Sequence, residues 1–600
     1  MKIIFPSVMI LISSLLRQSI IIYVLFVLGF VQRNHADIIE TLSNVVDNNI
    51  GHYALLHKNN VKCIGFVATK NCNPNSDRDE DITIVPCWDV VKDVHLAGYC
   101  LLREHNEFGQ ERDIHVMKRT CHSDTGLAKG VFTCDLAIDF HNFRREALSY
   151  RHRVPVKGKP SRLLGQDSAS SSSLRRGIVY NVFETALVGV YVSIQLIREY
   201  GCRLPIELWM KSSETNVHSP LMRLILEDVS TIVRFIEDPD ITGFNVKPYS
   251  LFYSNFDEIL LLDADNLPFT NPETLFETEQ FRKKGALFFP DFWQPLNTIF
   301  NLQSEHLIWE LTGLPVVDGF EQESGQLLID RTRCLPALHA LMFMVSVPPK
   351  HHTHRSLWQR ELVKGGHGLI EQMGLLYGDK DMFRFAWMMT GTPFHFVKHL
   401  PGIVGLHREG DGDEFCGMTM LQHGPNGEPV FFHRNARKLD HDGAKWWTHG
   451  NHLHPTHYCC HRHHHHHSFV NSISVRRYRG NDPKRNYRVI GIGHGCFVPA
   501  PSITDTSVFS FETLEEAGFG HQFEDTILMY RREAIEARSA ASNHDGYMTT
   551  TFEIVLLYLC LFVIIAYACK SELQSKSRVR WVWTWVKSLK RESLFRKSKD

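Results

Sequence analysis

The chain has 600 residues, and its 65 Lys and Arg side chains nearly balance its 66 Asp and Glu side chains, for a net charge of −1. This length exceeds what one hydrophobic core usually supports, so two or more domains are expected. The composition, 43% hydrophobic, is that of an ordinary globular protein, and the neutral balance gives no indication of nucleic-acid binding, so no nucleic-acid partner is predicted.

The N-terminus contains a short hydrophobic segment. Ile20 to Val31 is a run of twelve residues without a charge, which fits the apolar region of a signal peptide better than a membrane span. Asn34-His35-Ala36 is a candidate cleavage site, and a retained signal anchor is the alternative. Residues 1–36 are therefore predicted to be a signal peptide or a signal anchor.

Cysteines cluster in the next region, residues 37–153. Twelve of the fourteen cysteines lie between the two hydrophobic ends of the chain, as expected in an oxidising lumen. The pairing cannot be deduced from the sequence, because six cysteines allow many connectivities. We predict a disulfide-rich luminal accessory region without a catalytic motif, which contains Cys63, Cys72, Cys87, Cys100, Cys121 and Cys134.

A serine-rich linker, residues 154–176, precedes a pattern of alternating strands and helices. Gly177 to Tyr180 predicts a strand, Ala186 to Tyr200 a helix that ends at Gly201, and Leu204 to Trp209 a second strand. Strand–helix–strand of this length is a βαβ unit, with which nucleotide-binding α/β sheets begin.

Two carboxylates follow the next apolar run. Ile259 to Leu262 predicts a buried strand that ends in Asp263-Ala264-Asp265. Residues i and i+2 of a strand lie on the same side, so the two carboxylates can converge. Ligands of open α/β sheets gather at the carboxyl ends of strands, where two hard oxygen ligands suit Mg²⁺ or Mn²⁺ with a substrate diphosphate. An isolated Asp-x-Asp motif also occurs where the carboxylates only cap a turn or a helix.

The alternation continues beyond this pair. Asn271-Pro272-Glu273 predicts the start of a helix, and Ala286 to Phe289 a strand that ends in Pro290-Asp291. Gly325 to Ile329 predicts a further strand, and Asp379 to Met389 a helix. The expected fold class is α/β, with helices on both faces of a nucleotide-sugar-binding sheet.

Six sequence blocks in this order make a known family recognisable. They are GIVYNVFETALVGVYVSIQLIREYGCRLPIELW from Gly177, LLLDADNLPFTNPETLF from Leu260, GALFFPDFW from Gly285, ESGQLLIDR from Glu323, GDKDMFRFAW from Gly378 and PVFFHRN from Pro429. Together they resemble the fungal-type α-mannosyltransferases that add α-1,2- or α-1,3-linked mannose to mannan and N-glycan outer chains. The resemblance covers residues 177–439 and implies a GT-A fold. It also implies a GDP-mannose donor and a glycan acceptor, with retention of the α configuration.

The metal site is expected to include a histidine as well as the two carboxylates. Asp265 is the first candidate for a direct Mn²⁺ or Mg²⁺ ligand, and Asp263 is the second ligand or a ribose contact. Many GT-A enzymes complete the metal shell with a histidine from the end of the catalytic domain. His433 is the candidate, with His407 as the alternative and an ordinary sheet histidine as the competing interpretation.

Further carboxylates are candidates for work on the donor and acceptor. Helical spacing turns Asp379 and Asp381 about 200° apart, so one is expected to cap the helix while Asp381 enters the site as a catalytic group. Asp291 is a candidate for binding a sugar hydroxyl or for catalysis, with Trp293 stacking on the sugar ring. Glu323 is a candidate acceptor base or sugar-binding group. Two polar side chains complete the substrate-binding candidates, Gln326 and Asp379.

The C-terminal third is predicted to connect the catalytic region to a membrane. Residues 440–550 are interpreted as a histidine-rich loop and a luminal stalk. Ile554 to Cys569 carries no charge, and we predict a transmembrane helix at 552–569. The tail at 570–600 contains ten Lys and Arg residues, as the positive-inside rule requires of a cytosolic segment. The catalytic region is expected in the lumen of the Golgi (or the ER).

Three other functions remain open at this point. The chain could be a metal-dependent transferase that uses a UDP-sugar, or a non-catalytic carbohydrate-binding relative that keeps the fold. Residues 449–467 contain ten histidines and could store metal ions, although the tract lacks fixed ligand spacing and a solvated loop is the simpler interpretation.

Overall fold

A computed structural model describes fourteen segments of the chain: residues 55–87, 96–105, 109–121, 133–152, 175–297, 302–346, 368–408, 414–435, 438–439, 472–480, 487–491, 496–499, 508–519 and 523–539. They divide into a large unit, Met1–His218 with Met222–Ala534, and a small unit, Ser219–Leu221 with Ile535–Asp600. The features described below lie in the large unit, apart from the parts of two helices that fall in the small one.

The N-terminal region contains a three-stranded antiparallel sheet and one helix. The sheet has the order β1-β2-β3, and its elements are β1 (Val61–Ala68), β2 (Gly98–His105), β3 (Glu111–Arg119) and α1 (Cys134–Ser149). Thr133 caps α1, because its Oγ1 accepts a hydrogen bond from the Leu136 N–H at 3.2 Å. A 3₁₀ turn at Lys58–Asn60 precedes β1.

All six cysteines of this region are paired with one another. The disulfides are Cys63–Cys134, Cys72–Cys121 and Cys87–Cys100. The predicted disulfide-rich region is therefore confirmed, and its connectivity, which the sequence left open, is now defined. The first of these bonds joins β1 to the start of α1 and so ties the helix to the sheet.

A seven-stranded mixed sheet forms the centre of the large unit, in the order β11-β9-β10-β7-β4-β5-β6. Strands β4 to β7 pair in parallel, whereas β10 runs antiparallel to both β7 and β9. The strands are β4 (Arg176–Asn181), β5 (Ile206–Met210), β6 (Thr231–Phe235), β7 (Glu258–Leu262), β9 (Ala286–Pro290), β10 (Gln322–Asp330) and β11 (His395–Phe396). Each strand predicted from the sequence in this region is present.

Helices cover both faces of the central sheet. On one face, Val179, Leu261 and Phe288 share a hydrophobic core with the helices at Val246–Tyr253, Leu335–Ser346 and Met382–Thr390. On the other face, the Tyr180 hydroxyl contacts Ser193 Oγ of the helix at Leu187–Glu199, at 2.6 Å. The predicted α/β class is confirmed. The helices of the sheet region are α2 (Leu187–Glu199), α3 (Pro220–Ile225), α4 (Val246–Tyr253), α5 (Glu279–Lys284), α6 (Leu307–Thr312), α7 (Leu335–Ser346), α8 (Leu369–Met373) and α9 (Met382–Thr390).

Three short 3₁₀ turns complete the sheet region. They are Glu184–Ala186, Gly243–Asn245 and Pro272–Glu277. The helix predicted after Asn271 is the last of these, and Asn271 caps it through a hydrogen bond from the Glu273 N–H at 3.0 Å.

The N-terminal region shares its core with the central sheet. Phe143 of α1 contacts Phe343 of α7 edge-on, with ring centroids 5.4 Å apart. Leu136, Phe140 and Phe143 belong to the same buried cluster as the apolar residues of α7 and α9. Burial of this shared apolar surface holds α1 against the helices of the central sheet region.

A second sheet carries the chain beyond the predicted catalytic boundary at residue 439. Its order is β16-β17-β13-β12-β15-β18, and β14 pairs with both β13 and β8. Its strands are β8 (Asn266–Pro268), β12 (Gly402–Arg408), β13 (Glu414–His423), β14 (Pro429–His433), β15 (Ser472–Tyr478), β16 (Val489–Gly491), β17 (Phe497–Pro499) and β18 (Phe509–Thr513). A fourth disulfide, Cys416–Cys496, joins β13 to the residue before β17.

The segment interpreted as a stalk differs from that expectation where the structure describes it. Strand β18 is an integral edge of the second sheet, and a final helix, α10, runs over 523–539. Up to Ala534 this segment belongs to the large unit. Phe519, Phe523 and Glu524 of this segment are buried rather than solvated.

No helix among the described residues is long and apolar enough to cross a membrane. The predicted span at 552–569 and the basic tail lie outside those residues, as do the N-terminal hydrophobic segment, most of the serine-rich linker and the histidine-rich tract.

Candidate metal centre and active site

The Asp263-Ala264-Asp265 turn lies at the carboxyl end of β7, in the middle of the central sheet. The Asp263 N–H donates to the Gly325 carbonyl of β10 at 2.8 Å, and the Asn266 N–H donates back to the Asp263 carbonyl at 3.0 Å. The Asn266 side chain also donates to the Gly325 carbonyl, at 2.9 Å. Backbone contacts therefore fix the turn before any side chain binds a ligand.

Gly189 of helix α2 packs against the same turn. A Cβ atom at Gly189 would lie 2.2 Å from the Ala264 carbonyl oxygen. Only a residue without a side chain allows this close approach of helix and turn. The hydrophobic periodicity of α2 did not indicate this role.

His433 reaches the turn because β14 pairs with β8. The pairing places His433 opposite Asn266, and the Arg434 N–H donates to the Asp265 carbonyl at 2.8 Å. His433 Nε2 lies 3.4 Å from Asp265 Oδ1. A Cβ at Gly325 would lie 2.7 Å from His433 Cε1, so this glycine leaves the space that the imidazole ring occupies.

The three predicted ligands of the metal site come together. Asp263, Asp265 and His433 each offer one ligand atom, and these atoms lie within 4.8 Å of one another. Two carboxylates and one imidazole are a donor set that suits Mn²⁺ and related divalent cations. His433 Nδ1 is buried without a hydrogen-bond partner, 3.8 Å from Glu323 Oε1, while Nε2 faces Asp265. The residues present therefore fit a divalent cation. The alternative ligand, His407, lies in β12 outside the residues whose side chains are described.

Two lysines that sequence reasoning missed flank the metal ligands. Lys247 Nζ, at the start of α4, lies 2.9 Å from Asp263 Oδ2, and Lys438 Nζ lies 3.0 Å from Asp265 Oδ2. Lys438 stands five residues after His433 and three after the end of the last sequence block, so a search next to that block could have found it. Lys247 carries no comparable signal, because only the fold brings α4 to the end of β7.

A second acidic pair lies at the same edge of the sheet. Asp291 follows β9, and Glu323 lies near the start of the antiparallel strand β10. Lys380 Nζ contacts Asp291 Oδ2 and lies 3.0 Å from Glu323 Oε2. Glu323 Oε1 accepts hydrogen bonds from the Ser324 and Gly325 N–H groups, each at 2.9 Å. The structure thus brings together two predicted candidates and adds a lysine between them.

Electrostatics separate the carboxylates of the site. Burial raises the pKa of Asp263 to about 6 and that of Asp291 to about 6, in each case against the lowering effect of the adjacent lysine. Burial also raises the pKa of Glu323, but Lys380 and His433 outweigh it and bring the value to about 2. Burial lowers the pKa of His433, whereas Glu323 and Asp265 raise it to about 9. Without a cation, His433 is therefore protonated at neutral pH, and its positive charge partly offsets the negative charge of the carboxylates.

Asp379 and Asp381 are placed the opposite way from the sequence expectation. Asp379 Oδ2 lies 3.0 Å from Lys247 Nζ, which also contacts Asp263. Asp381 is the residue before α9, where it pairs with Arg384 and accepts the Gln322 N–H at 3.0 Å. Asp381 has φ 59°, in the left-handed region. The helix begins at Met382, so spacing counted from Asp379 does not apply, and Asp379 faces the site. Which of the two governs turnover stays a prediction.

The remaining substrate-binding candidates are buried. Trp293 is 6% exposed and packs in a separate core cluster with Phe292, Ile403 and Tyr487. In this structure most of the indole surface is therefore covered by protein, unlike the open stacking surface expected. Gln326 is fully buried, and its Oε1 accepts a hydrogen bond from Asn266 Nδ2. Gln326 therefore supports the turn that carries the metal ligands.

A buried ion pair ties the metal site to the C-terminal helix. Arg434 is fully buried, and its Nη1 lies 3.1 Å from Glu524 Oε1 of α10. Phe432 of β14 contacts Phe519 and Phe523, with ring centroids 4.9 Å and 5.2 Å apart. The residues on both sides of His433 in sequence are thus held by a segment ninety positions later in the chain.

Sequence comparison shows that the sheet region is similar to a mannosyltransferase family. Residues 175–304 and 319–424 match a family described as "Mannosyltransferase putative". The α-1,2-mannosyltransferase MNN21 of Candida albicans is 24% identical over 330 residues, which are 47% of this chain and 47% of the relative. The α-1,2-mannosyltransferase MNN2 of Saccharomyces cerevisiae is 26% identical over 276 residues, 39% of this chain and 42% of the relative. The resemblance to the fungal mannosyltransferases is therefore confirmed.

Two limits of these matches matter for the site. The chain spans less than half the length of these curated relatives. The family match includes both acidic pairs and Asp379, but it ends at residue 424, before His433 and Lys438.

Solved glycosyltransferases show only a distant likeness. The galactosyltransferase LgtC, solved with donor and acceptor sugar analogues, has a TM-score of 0.24 and 13% identity, with 37% of this chain and 73% of that chain covered. Mouse xyloside xylosyltransferase 1 has a TM-score of 0.22 and 16% identity, with 37% and 85% covered. At these TM-scores, the fold is assigned from the strand order of this chain and not from the solved structures.

Proposed function

We propose that this chain, whose sheet region resembles the fungal mannosyltransferases, is a divalent-cation-dependent α-mannosyltransferase of GT-A type. Its donor would be GDP-mannose and its acceptor a glycan. The observation that carries the proposal is the convergence of Asp263, Asp265 and His433 within 4.8 Å, in a region that matches the family. Mn²⁺ is the favoured cation, with Mg²⁺ as the second choice, because the set includes an imidazole.

The cation would be held by Asp263, Asp265 and His433. When bound, it supplies Lewis-acid stabilisation of the diphosphate of the donor. Lys438 supports the same event from the protein, because its side chain is 51% exposed and its ammonium group, beside Asp265, can interact with the departing phosphate charge. Lys247 keeps Asp263 and Asp379 in place from the buried side.

The second acidic pair is suited to the sugar and the acceptor. Glu323 is fixed by two backbone N–H groups and by Lys380, and its low pKa keeps it ionised. A fixed carboxylate of this kind stabilises positive charge that develops on the sugar ring during transfer. Asp291, with its pKa raised to about 6, is the better proton acceptor of the two near neutral pH.

A donor panel tests the proposal. The purified protein is incubated with Mn²⁺ and with GDP-mannose, UDP-galactose, UDP-glucose or UDP-N-acetylglucosamine, and release of nucleotide and linkage of the product are measured. We expect turnover with GDP-mannose and an α-linked mannose product. Preference for a UDP-sugar would replace the donor assignment. Binding of glycans without turnover of any donor would favour the non-catalytic alternative.

We further propose that the chain is anchored in the Golgi (or ER) membrane with its catalytic region in the lumen. The support is the uncharged segment at 552–569 followed by ten basic residues, together with four disulfides in the described regions. Protease added to sealed microsomes should remove only the tail beyond Cys569. Digestion of the whole chain without detergent would contradict this topology.

A further inference from the structure

Exposed aromatic side chains of the described residues concentrate in the central sheet region. Five Phe or Tyr residues are at least 43% exposed, and four of them lie in that region, within or just after a strand or next to a helix. These four are Phe183, Phe235, Phe244 and Tyr377, whereas the fifth, Phe511, lies in the edge strand β18 of the second sheet. Large exposed aromatic surfaces are unfavourable in water, so their grouping beside a site indicates a ligand that stacks on them.

Two of these residues adjoin Gly378, the residue before Asp379. Phe244, 59% exposed, packs against Gly378, where a Cβ would lie 3.1 Å from ring atom Cδ2. Gly378 has φ +63°, and it is preceded by Tyr377, which is 63% exposed. It is followed by Asp379, whose carboxylate contacts Lys247.

The segment that carries Phe244 is held from both ends. Asn245 Nδ2 donates to Glu371 Oε2 of α8 at 3.2 Å, and α4, which contains Lys247, begins at Val246. A single residue separates Tyr377 from the Lys247–Asp379 ion pair. Phe244 and Tyr377 are therefore both joined to the Lys247–Asp379 ion pair by only a few residues of chain.

We propose that Phe244 and Tyr377 form a platform on which a pyranose ring of the acceptor glycan stacks. The inference deepens the proposed function and rests on it, because it assigns an acceptor subsite to that same active site. One face of a hexopyranose presents C–H groups, which pack on aromatic rings, while its hydroxyls remain available to nearby polar groups. Two exposed rings next to the site suit a chain of sugars that extends away from the enzyme.

The donor nucleotide has a different place at the same edge. Strand order reverses between β4 and β7, and open α/β sheets bind nucleotides at such a switch point, beyond the carboxyl ends of the strands. Residues 212–218, which follow β5, and Phe235 of β6 line a cavity of about 460 Å³. The Asn216 N–H donates to Glu184, in the loop after β4, at 3.2 Å. Phe183 and Phe235 belong to this side, which leaves Phe244 and Tyr377 for the acceptor.

The test compares Phe244→Ala, Tyr377→Ala and the double variant with a matched control, Phe511→Ala, which removes an aromatic ring of similar exposure from β18. Transfer from GDP-mannose to an α-mannooligosaccharide is measured while donor and acceptor concentrations are varied separately. We expect acceptor KM to rise roughly five- to tenfold in each single variant, the size of one aromatic contact. Donor KM and donor hydrolysis without acceptor should keep their wild-type values. Phe244→Tyr should restore acceptor KM.

Three outcomes would overturn the platform. The first is an unchanged acceptor KM in the double variant. The second is a rise in donor KM instead, which would assign the rings to the nucleotide. The third is an equal rise of acceptor KM in Phe511→Ala. Failure of the proposed function is distinguished by the wild-type protein, which would then transfer from no donor. In that case the platform is still tested by calorimetry, which measures binding of the α-mannooligosaccharide alone to the wild type and to the double variant.

Discussion

Two acidic pairs lie at one edge of the central sheet, and they are neutralised in different ways. Asp263 and Asp265 face His433, with the lysines at their outer oxygens, and the three ligand atoms converge on one point. Asp291 and Glu323 are bridged by Lys380 at 3.0 Å from Glu323. A lysine between two carboxylates takes the place that a cation would occupy. The comparison therefore assigns the cation to the first pair and the sugar chemistry to the second.

The largest expected effect breaks the first pair. Asp265→Asn removes a charged ligand, so we expect transfer to fall below detection at every Mn²⁺ concentration. Asp291→Asn changes the second pair and serves as the control, because it should reduce turnover but leave Mn²⁺ affinity unchanged. Steady-state kinetics over a range of Mn²⁺ concentrations measure both. Full activity in excess EDTA, or in the Asp263→Asn/Asp265→Asn variant, would show that no metal site exists here.

The two aspartates around Lys380 give the next effect. Asp379→Asn should lower kcat and kcat/KM together, by roughly 10²-fold, because Asp379 holds Lys247 against Asp263. Asp381→Asn should instead destabilise the fold by roughly 3 kcal/mol, since it leaves Arg384 buried with a weakened partner. Kinetics and thermal unfolding of both variants separate the roles. If Asp381→Asn is inactive but as stable as wild type, the original assignment of the catalytic carboxylate to Asp381 is right.

Gly325→Ala sharpens the comparison without touching a charge. Its methyl group would occupy the place of the His433 ring, 2.7 Å from Cε1, so we expect Mn²⁺ affinity to fall roughly tenfold. Gly491→Ala is the matched control, because a Cβ there meets no atom within 4 Å. Equal Mn²⁺ affinity in the two variants, measured by titration, would mean that the ring position does not matter for the cation.

The smallest effect tests the support from the C-terminal helix. Glu524→Gln weakens the ion pair with Arg434, whose N–H holds the Asp265 carbonyl. We expect a loss of Mn²⁺ affinity of roughly threefold to fivefold, about 1 kcal/mol, whereas Glu515→Gln, in the turn before α10, should have none. A lower melting temperature with unchanged affinity would make the ion pair a purely structural contact.

Sequence reasoning found the local features of the site and missed those that depend on long-range contacts. The apolar strand and the pair Asp263 and Asp265 follow from periodicity, and His433 followed from a family-like block. Lys247 was not found, because its partners lie sixteen and more residues away and only the packing of α4 joins them. Trp293 was expected to stack on the sugar ring, but it packs in a core cluster with residues of the second sheet.

The exchange of Asp379 and Asp381 has a specific physical cause. The prediction counted helical turns from Asp379, whereas the left-handed backbone of Asp381 delays the helix to Met382. Non-glycine residues rarely adopt this conformation, so a sequence pattern does not signal it. The expected stalk was misread for a related reason, since the charges around Phe509 to Ala540 include Glu524, whose buried partner Arg434 is ninety residues away.

The most direct test of the central claim is the number of Mn²⁺ ions bound at the two acidic pairs. Electron paramagnetic resonance titration of the full chain counts bound Mn²⁺ in wild type, in Asp263→Asn/Asp265→Asn and in Asp291→Asn/Glu323→Gln. The histidine-rich tract is present in all three, so its contribution cancels in the differences. We predict that the first double variant binds one equivalent less than wild type and that the second binds the same number. A loss confined to the second variant, or no loss in either, would contradict the assignment of the cation to Asp263, Asp265 and His433.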